Sequence, residues 1–161
     1  MPEISYFTRR EIQAPIASCL IRGFAAVMGK EKVVETATAA IRSDAEAAGR
    51  KAAETYGGNS LKELGCFVRE VWMADGALIV CFLEETERTL RFDVTRCRYA
   101  ELYDRLGMKE LGYCLSCSRD EPFIRGFNPH IKMTRTQTIM DGAEVCDFRF
   151  TLVDGEAEKP G

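Results

Sequence analysis

This chain encodes an α+β domain, with N-terminal helices packed on one face of an antiparallel sheet built from two hairpins. Apolar residues recur at three- and four-residue spacing as far as Met73, and at a spacing of two from Ala77 onward. The alternating segments come in two pairs, each closed by a short polar turn, as antiparallel neighbours are. The helical part covers residues 9–73, the sheet-and-helix part 77–152, and a polar, frayed tail 154–161 completes a single domain over 1–161.

The elements run in this order. Residues 9–28 form a helix, with Ile12, Ile16, Leu20, Phe24 and Val27 or Met28 on one stripe and Thr8 placed to cap it. Pro15 fits in its first turns or bends it mildly. After Gly29 a second helix spans 30–56. Its stripe of Val33, Val34, Ala37, Ala40, Ile41, Ala45, Ala48 and Ala52 allows close packing, and Gly57-Gly58 stops it. Ser60 with Glu63 reads as a capping box for a third helix ending near Trp72 or Met73. Residues 77–84 and 88–95 make the first hairpin, with Leu90, Phe92 and Val94 opposed to Arg91 and Asp93. Thr95 is placed to cap a helix over 97–106, and another helix runs over 109–118. Residues 119–129 read as irregular, with Pro122, Gly126 and Pro129 as breakers. Residues 131–140 and 143–152, joined at Asp141-Gly142, form the second hairpin.

Composition narrows the function. A length of 161 residues favours one core. A net charge of −3 argues against nucleic acid as a partner, since phosphate binding relies on an excess of Lys and Arg. No uninterrupted apolar run approaches the roughly 18–20 residues of a membrane span, so no membrane partner is expected. The start lacks the basic and apolar regions of a signal peptide, which points to a reducing cytoplasm. There the seven cysteines are not expected to form a disulfide framework. Cys19, Cys66 and Cys81 sit among apolar neighbours and read as small buried hydrophobes.

Cys97, Cys114, Cys117 and Cys146 lie near charges instead, in company with Asp120 and Arg135. The chain has a single histidine, His130, at a strand entry. A cysteine hydrolase normally borrows a proton acceptor from His, and a zinc hydrolase normally uses His ligands. Chemistry here would rest on Cys, Asp and Arg.

Strand parity groups these residues. A two-residue turn at Asp141-Gly142 sets Gln137 opposite Cys146, Arg135 opposite Phe148 and Met133 opposite Phe150. Arg135, Gln137 and Cys146 then share the apolar, helix-facing side. A buried guanidinium needs a carboxylate. For Arg135 that is Asp120 or Asp44, or the carboxylate of a ligand, which Arg grips bidentately. Asp147 points outward, to serve the hairpin or a subunit contact, and a homo-oligomer stays open. Cys97, in the first turn of its helix beside Arg96 and Arg98, is the thiol easiest to ionise. Asp120 lies three residues after Cys117, which suits proton handling: Asp120 as general base for water, or Cys117 as nucleophile. A metal site would need Cys97, Cys114, Cys117 and Cys146 to meet, because the Cys114/Cys117 pair has no second such pair. Neither a metal nor a cofactor is called for. Trp72, Tyr99, Tyr103 and Phe127 read as core.

The run Cys97-Arg-Tyr-Ala-Glu-Leu-Tyr-Asp-Arg-Leu-Gly107, then Glu110-Leu-Gly112, Cys117-Ser-Arg-Asp120, Gly126-Phe-Asn-Pro129, Thr134-Arg-Thr-Gln-Thr-Ile-Met-Asp-Gly142 and Cys146-Asp-Phe-Arg149 resembles the L-2-amino-thiazoline-4-carboxylic acid hydrolase family. The likeness is densest over 95–150. The helical part shares its general character, including Arg10-Glu11 and the stretch from Arg42 to Gly49. The resemblance implies a hydrolase that opens a cyclic isothiourea with water. The reading of the residues gives Cys117, Asp120 and Cys97 as catalytic candidates and Arg135, Cys146 and Gln137 as binders of a small carboxylate-bearing substrate, and the resemblance rests on the same stretches. The other reading of the same pocket is a non-enzymatic small-molecule sensor.

Overall fold

A computed structural model describes residues 4–153, so the polar tail lies outside the described residues. Helices α1 (Tyr6–Met28), α2 (Lys30–Tyr56) and α3 (Leu61–Phe67) come first. Strands β1 (Leu78–Glu85) and β2 (Thr89–Cys97) come next, then helices α4 (Arg98–Arg105), α5 (Lys109–Leu115) and α6 (Asp120–Phe127). Strands β3 (Ile131–Thr134) and β4 (Cys146–Leu152) complete the described chain. The sheet runs β1-β2-β4-β3, and every neighbouring pair is antiparallel. The α+β architecture is as expected, and the two hairpins join through β2 and β4.

The sheet buries one face. Leu90, Phe92 and Val94 of β2 pair with Phe150, Phe148 and Cys146 of β4, and all six are buried. Phe67 of α3 stacks on Phe123 of α6 at 4.8 Å, and Trp72 packs between Phe123 and Phe148. A second cluster, including Ile21, Val33, Tyr103, Leu111 and Leu115, fills the space between α1, α2, α4 and α5.

The capping box forms as expected: Ser60 and Glu63 satisfy each other's backbone groups at the start of α3. Removing the Ser60 hydroxyl as Ser60→Ala is expected to destabilise the fold by about 1 kcal/mol. A thermal melt should then show a midpoint about 2–4 °C lower. Beyond Phe67 the backbone loosens into a π-helical turn over Val68–Trp72, not the plain helix the spacing suggests.

Several expectations change. α1 is capped by Ser5, whose side chain accepts from Thr8 N–H at 3.2 Å, so the helix starts before Thr8. Its bulky stripe faces outward: Ile12, Ile16, Leu20, Phe24, Val27 and Met28 are all more than half exposed, while Phe7, Ala14, Ser18 and Ile21 are buried. Periodicity identifies a face but not its partner, and the small side of α1 is the one that fits α2. By length and mean hydropathy α1 also suffices to cross a membrane, which a count of uninterrupted apolar residues misses; 17% of its most apolar window is buried. Cys19 and Cys81 are exposed and Cys66 half-buried, because Cys19 shares the outer side of α1 and Cys81 the outer face of the edge strand β1.

Residues 120–127 are a helix, not a loop. Pro122 lies in its first turn, where a missing N–H breaks no helical bond. Gly126 serves close packing: a Cβ there would overlap the Glu46 carbonyl of α2, and one at Gly49 would overlap the Phe123 carbonyl of α6.

The second hairpin is wider than a two-residue turn allows. β3 ends at Thr134, and residues 139–141 form a 3-10 turn whose Asp141 N–H is capped by Thr138 at 3.1 Å. Asp147 takes over the ladder's role, accepting from the N–H groups of Thr136 and Gln137 at 2.9 Å each. Met133 does oppose Phe150, as parity requires.

Candidate active site

A cavity of about 300 Å³ opens between the helices and the buried face of the sheet. Cys97, Cys117, Asp120, Arg135 and Cys146 all line it. β2 and β4 supply the floor through Val94, Cys97, Cys146 and Phe148. The turn between α5 and α6 supplies Cys117 and Arg119, the start of α6 supplies Asp120, and α1 and α2 contribute Arg10, Gln13 and Asp44.

Asp120 is the first residue of α6, where the helix dipole and free N–H groups suit a carboxylate. Arg135, just past the end of β3, reaches it in a short ion pair and donates a second bond to the Cys117 carbonyl at 3.2 Å. The Arg135 side chain is 7% exposed and lies over the Phe148 ring at 5.1 Å, so its carboxylate partner is a protein one. Asp44, the other candidate, pairs with Arg119 at 2.6 Å instead. Burial pushes the Asp120 carboxyl up, and Arg135 and Arg119 pull it only part of the way back. For Arg135, burial works against the charge, but Asp120 more than offsets it and holds the guanidinium above its ordinary range.

Cys97 is the cap of α4 and the last residue of β2, one position outside the helix expected to contain it. The N–H groups of Ala100 and Tyr99 act on it in the expected direction, but burial outweighs them and pushes the thiol up to about 11. It is therefore a neutral thiol, not the easily ionised one that its flanking arginines suggest. Burial and then Asp120 push Cys117 up as well, against the pull of Arg135. Cys146 is raised by burial too, and accepts a hydrogen bond from Ile139 N–H at 3.2 Å. The Asp120 carboxyl thus shares the cavity with three protonated thiols.

Gln137 does not join the site. β3 ends three residues before it, and its exposed side chain lies outside the cavity. Cys114 is buried on the other side of α5, where Thr38 donates to its sulfur at 3.1 Å. The four thiols of the metal alternative therefore do not meet, and among the described residues no group of three or more His, Cys, Asp or Glu is placed to hold a metal. His130 is exposed at the entry to β3 and away from the cavity.

Sequence reasoning missed several cavity residues. Trp72 and Tyr99, expected in the core, form part of the wall. Arg10 and Arg119 line it as well. A signal for Arg10 is present in the chain: it is three residues after Phe7 and four before Ala14, on the small buried side of α1.

No curated protein matches the chain. The family model described as L-2-amino-thiazoline-4-carboxylic acid hydrolase matches residues 9–150, which extends the likeness from the sheet through all the helices. The match takes in each residue that the cavity draws from α1, α2, the α5–α6 turn and both central strands, save Tyr6. With nearly the whole described fold covered, the chain belongs to the L-2-amino-thiazoline-4-carboxylic acid hydrolase family.

Proposed function

We propose that this cavity opens a small cyclic amidine or isothiourea of the 2-amino-thiazoline-4-carboxylate kind by adding water to the amidine carbon. The observation that carries the reading is the convergence of Asp120, Arg135, Cys97, Cys117 and Cys146 on one cavity in a member of this family.

Asp120 is the general base. It takes a proton from water as the water oxygen bonds to the ring carbon between nitrogen and sulfur. The C=N electron pair moves to nitrogen, giving a tetrahedral centre. On collapse the hydroxyl proton passes to the ring nitrogen as its oxygen forms C=O, the C–S bond breaks, and the departing sulfur receives the proton held by Asp120. One substrate and one water yield an open-chain thiol carrying a ureido group. Arg135 orients Asp120 and keeps it ionised between turnovers. The raised thiols favour this water route over attack by a Cys117 thiolate, because a protonated sulfur is a weak nucleophile.

The test is to incubate purified protein with 2-amino-thiazoline-4-carboxylate and follow the release of free thiol. No release rejects the activity. Cys117→Ala is expected to retain ring opening within about tenfold of the parent, because a neighbouring thiol adjusts the site without accepting the proton. Abolished turnover in that variant, with a covalent adduct on Cys117 of the parent in quenched samples, would assign the attack to sulfur. Undiminished turnover in both Cys117→Ala and Asp120→Ala would reject the residue assignment and leave the activity standing.

A further inference from the structure

Four guanidinium groups surround the cavity, from Arg9, Arg10, Arg119 and Arg135, against the two carboxylates of Asp44 and Asp120. Both carboxylates are taken: Asp120 by Arg135 and Asp44 by Arg119. Arg9 is exposed and lies over the Tyr6 ring at 5.6 Å. The neighbouring Glu11 is engaged by Arg105 at 2.8 Å. Arg10 makes no hydrogen bond or ion pair among the described residues, although it is half-buried and lines the cavity. Burial, and then the nearby Arg119, disfavour its charge, and Tyr103, Tyr99 and Asp44 offset only part of this. An arginine nevertheless stays protonated, so this side of the cavity holds a positive charge in want of an anion.

We propose that Arg10 is the carboxylate-binding residue of the cavity, and that the ligands it selects are small ring compounds bearing one carboxylate. This rests on the proposed ring opening for the identity of the ring, but not for the anion subsite. Arg135, the sequence's candidate for that task, has one amino group on Asp120 and the other on the Cys117 carbonyl. Arg10 has its whole planar fork available, which matches a carboxylate bidentately. A carboxylate there would relieve the repulsion between Arg10 and Arg119. Arg10 comes from α1 and Asp120 from α6, and both line the same cavity, so a ring held by its carboxylate at Arg10 shares the cavity with the proposed base. A volume of about 300 Å³ sits at the small end of ligand pockets and suits a single five-membered ring with its substituents.

The test uses thiazolidine-4-carboxylate, whose saturated ring has no amidine carbon to attack, and its neutral carboxamide. Trp72 is the chain's only tryptophan and lines the cavity, so its fluorescence reports occupancy without any turnover. The parent protein should bind the carboxylate roughly 10- to 100-fold more tightly than the carboxamide, the range of a hydrogen-bonded charge pair. Arg10→Gln should remove that preference by weakening carboxylate binding alone, and Arg10→Lys should restore part of it. Arg10 holds no other side chain, so loss of fold is not the expected route, and far-ultraviolet circular dichroism of both variants checks this. A preference that survives in Arg10→Gln overturns the assignment. So does equal binding of the two probes by the parent, or binding of neither. An Arg10-dependent preference in a protein that releases no thiol from 2-amino-thiazoline-4-carboxylate would keep the subsite and sink the proposed reaction.

Discussion

Asp120→Asn is expected to lower kcat for ring opening by about 10²- to 10⁴-fold, the usual share of a positioned general base. Asparagine keeps the size of the side chain and can still accept a hydrogen bond from Arg135, but it cannot hold a proton taken from water. The parent should also lose activity as pH falls. Its proton acceptor is raised by burial, so the decline sets in at a higher pH than for an ordinary carboxylate. The role sets the sign: the base works ionised, and protonation silences it. In Asp120→Asn the residual rate should be flat through that limb. Steady-state rates of both proteins across the acidic range check this. An unchanged acidic limb in the variant would move the proton acceptor elsewhere. The substitution also leaves the buried Arg135 without its charge partner, a change that can cost about 3–5 kcal/mol. The rates should therefore be read beside a melting curve.

The second large effect is on stability. Gly126→Ala is expected to destabilise the domain by about 3 kcal/mol, the upper end for inserting a methyl into a full core. Its Cβ would meet Glu46 backbone, and backbone cannot swing aside as a side chain can. Gly49→Ala does the same from the other side, against the Phe123 carbonyl and 2.8 Å from Phe127 N. Each should lower the melting midpoint by roughly 6–12 °C. The pair together should fall short of the sum, because the helices need to part only once. Gly23→Ala is the matching control. It sits mid-helix in α1 with nothing within 4 Å of its would-be Cβ, so alanine there should stabilise by about 0.5–1 kcal/mol. One substitution type thus has opposite signs at two helix positions. Equal melting points for Gly23→Ala and Gly126→Ala would refute this account of α2 and α6.

The same contrast explains what the chain discloses about its fold. Local pattern is enough for the helices, the Ser60–Glu63 box and the inward set of Leu90, Phe92 and Val94, because each depends on neighbours a few residues away. α6 is hidden because Pro122 and Gly126 carry two meanings. Either can break a helix, and either can serve one: Pro in the first turn, Gly at a close crossing. Only α2, some 80 residues earlier, decides between them. The turn at Asp141-Gly142 fails for a related reason. The Asp147 side chain satisfies the N–H groups of Thr136 and Gln137, so the backbone has no need to continue the ladder there.

The site is legible in part for equally physical reasons. Strand parity brings Cys146 to the helix side, and Cys117 and Asp120 reach one cavity through the turn between α5 and α6, not along one helix face as expected. Sequence narrows the partnership of Arg135 to Asp120, Asp44 or a ligand, and Asp120 is the partner. Gln137 is lost with the turn. The ionisation of Cys97 is misjudged because flanking arginines are visible in a sequence, whereas burial is not. Arg10 escapes because the bulky outer stripe of α1 masks the small inner one.

The π turn over Val68–Trp72 has a consequence for how the cavity bears a change of chain length. It accommodates one residue more than a regular helical turn, and Trp72 closes it while forming part of the cavity wall. Because the extra residue is absorbed inside one turn, the helix before it and Trp72 after it keep their places. Deleting one residue ahead of Trp72 would let α3 run on as plain helix up to the same indole. The cavity wall is thus buffered against a change of chain length at this spot.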